Sequence, residues 1–131
     1  MKTKPLLIAA AAAELGTGLG LLVAPSFVSQ LLLGEALGQP VSTLVGRVAG
    51  AALIAIGLAC WLESTGNRAG SPRGLLTALL VYNAIVALLL AHGAVFNGIR
   101  GVLLWPVVAV HVVFAIWCAV RLSPERGGPT P

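Results

Sequence analysis

The chain has 131 residues and a formal net charge of +4, with 58% of its residues hydrophobic and only 9% charged; its mean hydropathy is +0.99. Soluble domains carry about 25% charged residues, so the composition excludes an ordinary water-soluble fold. The basic residues stand singly between apolar blocks and form no stripe or helix-turn-helix pattern, which excludes nucleic acid as a partner.

Crossing the roughly 30 Å hydrocarbon core of a bilayer takes about 20 apolar residues in a helix. Four blocks have that length, at about residues 6–24, 44–62, 74–92 and 102–120. The first, opening "MKTKPLLIAAAAAE", has the look of a secretory leader with a small-residue site ending at Ala13. Its apolar character continues through "LGTGLGLLVA", and cleavage at Ala13 would leave a stub too short to span, so a transmembrane helix is expected. The connection that follows, "PSFVSQLLLGEALGQP", is longer than a turn requires. Phe27, Val28, Leu31 and Leu32 recur at helical spacing. A short helix over 26–34, lying in the membrane interface between Ser26 as N-cap and Gly34 as C-cap, fits that pattern. An irregular loop packed on the bundle fits it too.

The remaining connections, "STGNRAGSPRG" and "NGIRG", carry turn residues. Lys2, Lys4, Arg68, Arg73, Arg121 and Arg126 fall at one end of the threading, and Arg47 and Arg100 at the other. The positive-inside rule therefore places both termini in the cytoplasm, with Trp61 and Trp117 near the inner interface and Trp105 near the outer. The tail 123–131, rich in Pro and Gly, is expected to be disordered. Glu14 and Asn83 hold equivalent positions in the first and third spans, as do Phe27 and Phe96 beyond them, but further identities are too few to establish a duplication.

Polar residues inside the spans carry the chemistry. Glu14, Asn83 and His111 each lie at the middle of their span. Arg47 lies six residues from the centre of the second span at Leu53, about 9 Å at 1.5 Å per residue. A charge at mid-membrane facing lipid costs at least ~2.5–3.5 kcal/mol, so these groups are expected to face one another. Small residues at Ala10, Gly18, Ala51, Ala55, Ala87, Ala91 and Ala115 would let the helices approach. The cluster reads two ways. In one, Glu14 and Arg47 form a buried ion pair that Asn83 and His111 complete, a structural network that fixes helix register. In the other, the cluster lines a cavity that binds a ligand or relays a proton. Two titratable groups at one depth, Glu14 and His111, favour the second.

Thr17, one turn from Glu14, reads as a hydroxyl bonded to its own helix backbone. Tyr82 adjoins Asn83 on a different face, and His92 and Asn97 lie near the outer end of the third span. Cys60 and Cys118 are too few for a disulfide framework and too far apart for a metal motif, although their similar depth admits a thiol pair. The Gly16/Gly20 and Gly46/Gly50 pairs suit close packing between helices of the bundle. No hydrolase, nucleotide-binding or metal-binding motif occurs, so no metal site is expected and no cofactor is indicated.

"ELGTGLGLLVAP", "GRVAGAALIAIGLACWL" and the short basic inner loop resemble the small bacterial four-helix membrane proteins of the DoxX-like kind. The likeness covers the membrane region and lies in topology and Gly/Ala texture. It implies a multi-pass protein of the bacterial inner membrane, in a family some of whose members associate with redox or quinone-linked complexes. The expected architecture is thus an all-α, four-transmembrane-helix bundle. The leading functional expectation is a protein that binds a lipophilic small molecule or serves as an accessory subunit of a membrane complex. The alternatives are a membrane enzyme using Glu14 and His111 as acid and base with Asn83 orienting a lipid-like substrate, and a small proton-coupled transporter acting as a homodimer.

Overall fold

The computed structural model describes residues 2–66 and 72–123. The middle of the basic loop, with Arg68, and the tail beyond residue 123 lie outside the described residues. The described chain is all-helical: α1 (Thr3–Val23), α2 (Pro25–Leu33), α3 (Pro40–Thr65), α4 (Arg73–Phe96) and α5 (Leu104–Leu122). All except α2 are long and apolar enough to cross a membrane, which makes this a multi-pass membrane protein. Two helices outrun the expected spans most: α3 begins four residues before Leu44 and α4 ends four residues after His92. Prolines at the starts of α2 and α3 suit where those two helices begin, because proline is compatible with the first helical turn and not with the interior.

The spanning helices pack as two antiparallel pairs, α1 along α3 and α4 along α5, with α5 also touching α1. Glycine brings the first pair together. A Cβ on Gly18 would lie 2.7 Å from the Gly50 carbonyl oxygen, one on Gly50 would lie 2.6 Å from the Gly18 carbonyl oxygen, and one on Gly57 would lie 2.7 Å from Leu15 Cγ. In a membrane, where lipid competes for apolar contacts, backbone approach of this kind drives helix association. The expected glycine pairs are only partly the ones used: Gly50 is at the contact, whereas Gly16 faces open space and Gly20 and Gly46 meet side chains of the α2 region.

One end of the bundle is tied by its termini. Arg121 Nε donates to Thr3 Oγ1 at 3.0 Å, and an Arg73 guanidinium nitrogen donates to the Leu122 carbonyl at 3.4 Å. The half nearest this end is the packed core, built on Leu6, Leu7, Ala10, Ala11, Cys60, Leu76, Leu79, Phe114 and Cys118. Both thiols are free and buried there. Trp117 packs against this core with its indole N–H buried and, among the described residues, without an acceptor; Trp61 and Trp105 are the exposed tryptophans.

The opposite end is closed by α2, a helix and not a loop. Its C-cap Gly34 sits at φ 84°, the left-handed conformation that glycine adopts without steric cost. Ser26 does not cap the start. It lies inside the helix and donates to the Leu37 carbonyl at 3.0 Å, while Ser29 donates to the Glu35 carbonyl at 2.8 Å. These bonds fold the segment after α2 back under it. The Leu103 N–H donates to the Leu31 carbonyl at 2.9 Å, which ties α2 to the start of α5.

Candidate functional site

Between the two helix pairs, from mid-depth to the underside of α2, lies a cavity of about 740 Å³. Its roof is Ser29, Leu32 and Leu33 of α2 with Leu37 after it. Its walls are apolar: Leu21 of α1, Val45 and Leu53 of α3, Val86 and Leu90 of α4, and Val107, Val110 and Phe114 of α5. Ligand pockets typically span about 300–1,000 Å³, with apolar walls and a few convergent polar groups.

The polar groups converge at the floor. Glu14 and Thr17 of α1, Tyr82 of α4 and His111 of α5 all reach it. Tyr82 Oη donates to Glu14 Oε2 at 3.2 Å, and the Tyr82 and His111 rings lie 5.9 Å apart at a tilt of 56°. Glu14 is only 5% exposed, and Tyr82 is its sole hydrogen-bond partner among the described residues. His111 Nδ1 is 2.8 Å from the Val107 carbonyl. A carbonyl can only accept, so Nδ1 carries a proton, and a neutral ring in this tautomer holds its lone pair on Nε2. The Thr17 hydroxyl lines the cavity and makes no backbone bond among the described residues, contrary to its expected role.

Two members of the expected cluster are elsewhere. Arg47 is exposed and forms no ion pair with Glu14. The reason is directional: side chains on a helix lean toward its N-terminus, so Arg47 leans toward Pro40 and the membrane edge, where a long basic side chain reaches the interface. Ala51 and Ala55, which continue its stripe, are exposed as well. Arg47→Gln is accordingly expected to leave thermal stability in detergent within about 0.5 kcal/mol of wild type. Removing a partner from a buried ion pair would cost about 3–5 kcal/mol, so a melting curve separates the two cases.

Asn83 is 1% exposed but lies outside the cavity. It belongs to the buried stripe Leu76, Leu79, Asn83 and Ala87 of α4. Its amide donates to the Leu79 carbonyl at 2.8 Å, and its Oδ1 is buried without a partner among the described residues. Successive helix residues are about 100° apart, so only one of Tyr82 and Asn83 can face the floor, and it is Tyr82. An unpartnered buried acceptor costs about 1–3 kcal/mol. Asn83→Leu, similar in volume, is therefore expected to hold or raise the melting temperature and to leave ligand binding unchanged; a loss of binding would return Asn83 to the site.

His92 is exposed and lies against Phe96, with ring centroids 4.9 Å apart at a tilt of 38°. Asn97 is the exposed C-cap of α4. Neither reaches the cavity. Among the described residues no cluster of His, Cys, Asp and Glu could hold a metal ion. No family model, curated protein or solved structure matches the chain.

Proposed function

We propose that this membrane protein binds a lipophilic small molecule in the cavity beneath α2, its apolar body against the helix walls and its polar end on Glu14, Tyr82 and His111. The observation that carries this reading is the convergence of three helices' polar side chains on the floor of a mostly apolar cavity of about 740 Å³. We place the protein in a bacterial inner membrane with both termini cytoplasmic, alone or as an accessory subunit of a larger assembly; the distribution of Lys and Arg supports the orientation.

Val86→Trp, which fills the cavity from α4, tests the reading. Native mass spectrometry of protein extracted gently from membranes should show a bound small molecule in the wild type and lose most of it in the variant. Equal occupancy in both, or none in either, would remove the cavity from the function. Acid–base turnover of a lipid-like substrate is the second reading, favoured by the open Nε2 of His111 beside Glu14. It requires that the bound molecule be chemically altered, and that His111→Ala stop the conversion while binding persists. Proton-coupled transport ranks behind both, because the half of the bundle near the termini is filled by Leu6, Leu7, Cys60, Leu76 and Cys118, each at most 2% exposed.

A further inference from the structure

We infer that the polar end this cavity selects is an amine, taken up as its ammonium ion on a lipophilic body; this rests on the cavity being a lipophile site. Among the described residues Glu14 is the only acidic one on the cavity wall, and no Lys or Arg lines it. The protein's own candidate counter-charge, Arg47, is exposed and unpaired with it. Apart from the Thr17 hydroxyl, which can donate as well as accept, the floor is left rich in acceptors. Tyr82 commits its proton to Glu14 Oε2, which leaves Oε1 without a donor among the described residues. His111 commits Nδ1 to its own helix and leaves Nε2 as a second acceptor. The titratable groups near Glu14 are thus Tyr82 and His111 across the floor, from α4 and α5, and the buried Cys60 thiol of α3 in the packed core.

An ammonium matches this floor in three respects. It supplies several N–H donors for Oε1 and Nε2, it supplies the positive charge that a buried carboxylate lacks, and it can sit against the Tyr82 ring, where a cation is attracted to the aromatic face. A carboxylate or phosphate head would place like charge beside Glu14. An alcohol offers one donor and no charge.

The test uses the full chain in nanodiscs of zwitterionic lipid, with three probes that share one naphthyl-alkyl body and end in a primary amine, an alcohol or a carboxylic acid. Binding is measured by equilibrium dialysis, with uptake by empty nanodiscs subtracted. The amine is expected to bind at least about tenfold more tightly than the alcohol, the effect of one charge-assisted hydrogen bond, and the acid most weakly. Glu14→Gln, of the same shape, should abolish the preference, so that the amine binds no more tightly than the alcohol to the same variant. Equal binding of amine and alcohol by the wild type, or a preference for the acid, overturns the assignment while the lipophile site stands. A preference for amine that survives in Glu14→Gln overturns it equally. If none of the three binds, the lipophile site falls as well. The wild-type ranking decides the matter without any variant, so it holds even where the Glu14→Gln protein fails to fold.

Discussion

Gly50→Leu is expected to take the bundle apart. The space beside Gly50 is occupied by backbone, the Gly18 carbonyl oxygen at 2.6 Å and the Leu22 nitrogen at 2.9 Å from the Cβ position, and backbone cannot swing aside as a side-chain tip can. Overpacking in a close-packed interior costs about 1–3 kcal/mol and occasionally more. Here both helices would have to separate along the contact that joins α1 to α3, so the upper end of that range is expected. In detergent the variant should elute as a broad or aggregated species and lose its cooperative melt. Gly16→Ala is the matched control. Nothing lies within 4 Å of the added carbon, and Ala is favoured over Gly inside a helix by about 0.5–1 kcal/mol, so this variant should melt at or above the wild-type temperature. Similar damage from both would mean that the α1/α3 contact does not depend on Gly50.

The two glycines also show where the amino-acid sequence is legible and where it is not. The number of spanning helices and their depths follow from hydropathy, because a bilayer dictates the length of any segment that crosses it. Counting along the spans puts Glu14 and His111 on one level, and the structure brings both to the same cavity floor. Counting fixes depth and not azimuth. Helices surrounded by lipid are apolar nearly all round, so no polar stripe marks the inward face as it would in a soluble bundle. Tyr82 and Asn83 differ by one residue and about 100° of rotation, and depth alone does not say that Tyr82 is the one that lines the cavity. Arg47 is misplaced for the same reason, compounded by the tilt of side chains toward the helix N-terminus. The cavity itself has no local signature: it lies between two helix pairs beneath α2, and its lining comes from every helix. The helix α2 is legible because it is amphipathic and ends in a glycine with a conformational reason to be there.

Access to the cavity should depend on how α2 is held, and Gly101 is the residue on which that hold turns. The backbone of Gly101 lies so close to the Leu32 carbonyl that no Cβ can be accommodated, and Gly34 abuts the Arg100 carbonyl from the other side. One backbone hydrogen bond, from Leu103 to Leu31, completes the junction. Gly101→Val must therefore displace the end of α2 from the α4–α5 connection while leaving the α1/α3 contact untouched, loosening the roof without unfolding the bundle. Ser29, 5% exposed on the underside of α2, reports the change when replaced by cysteine; Cys60 and Cys118, both buried in the core of the other half, are replaced by alanine to silence the background. In the Ser29→Cys protein a water-soluble maleimide should react slowly. Adding Gly101→Val should speed labelling on the order of tenfold or more, as expected when a local opening equilibrium shifts by about 1.4 kcal/mol, and should weaken retention of the bound lipophile in parallel. The thermal melt should move far less than in Gly50→Leu, because the packed half that carries the core is not part of the junction. Unchanged labelling in the presence of Gly101→Val would mean that α2 is anchored by its apolar contacts and not by its junction with the α4–α5 turn. Faster labelling with unchanged ligand retention would instead separate the roof from the binding site and leave the floor residues, Glu14, Tyr82 and His111, to hold the ligand alone.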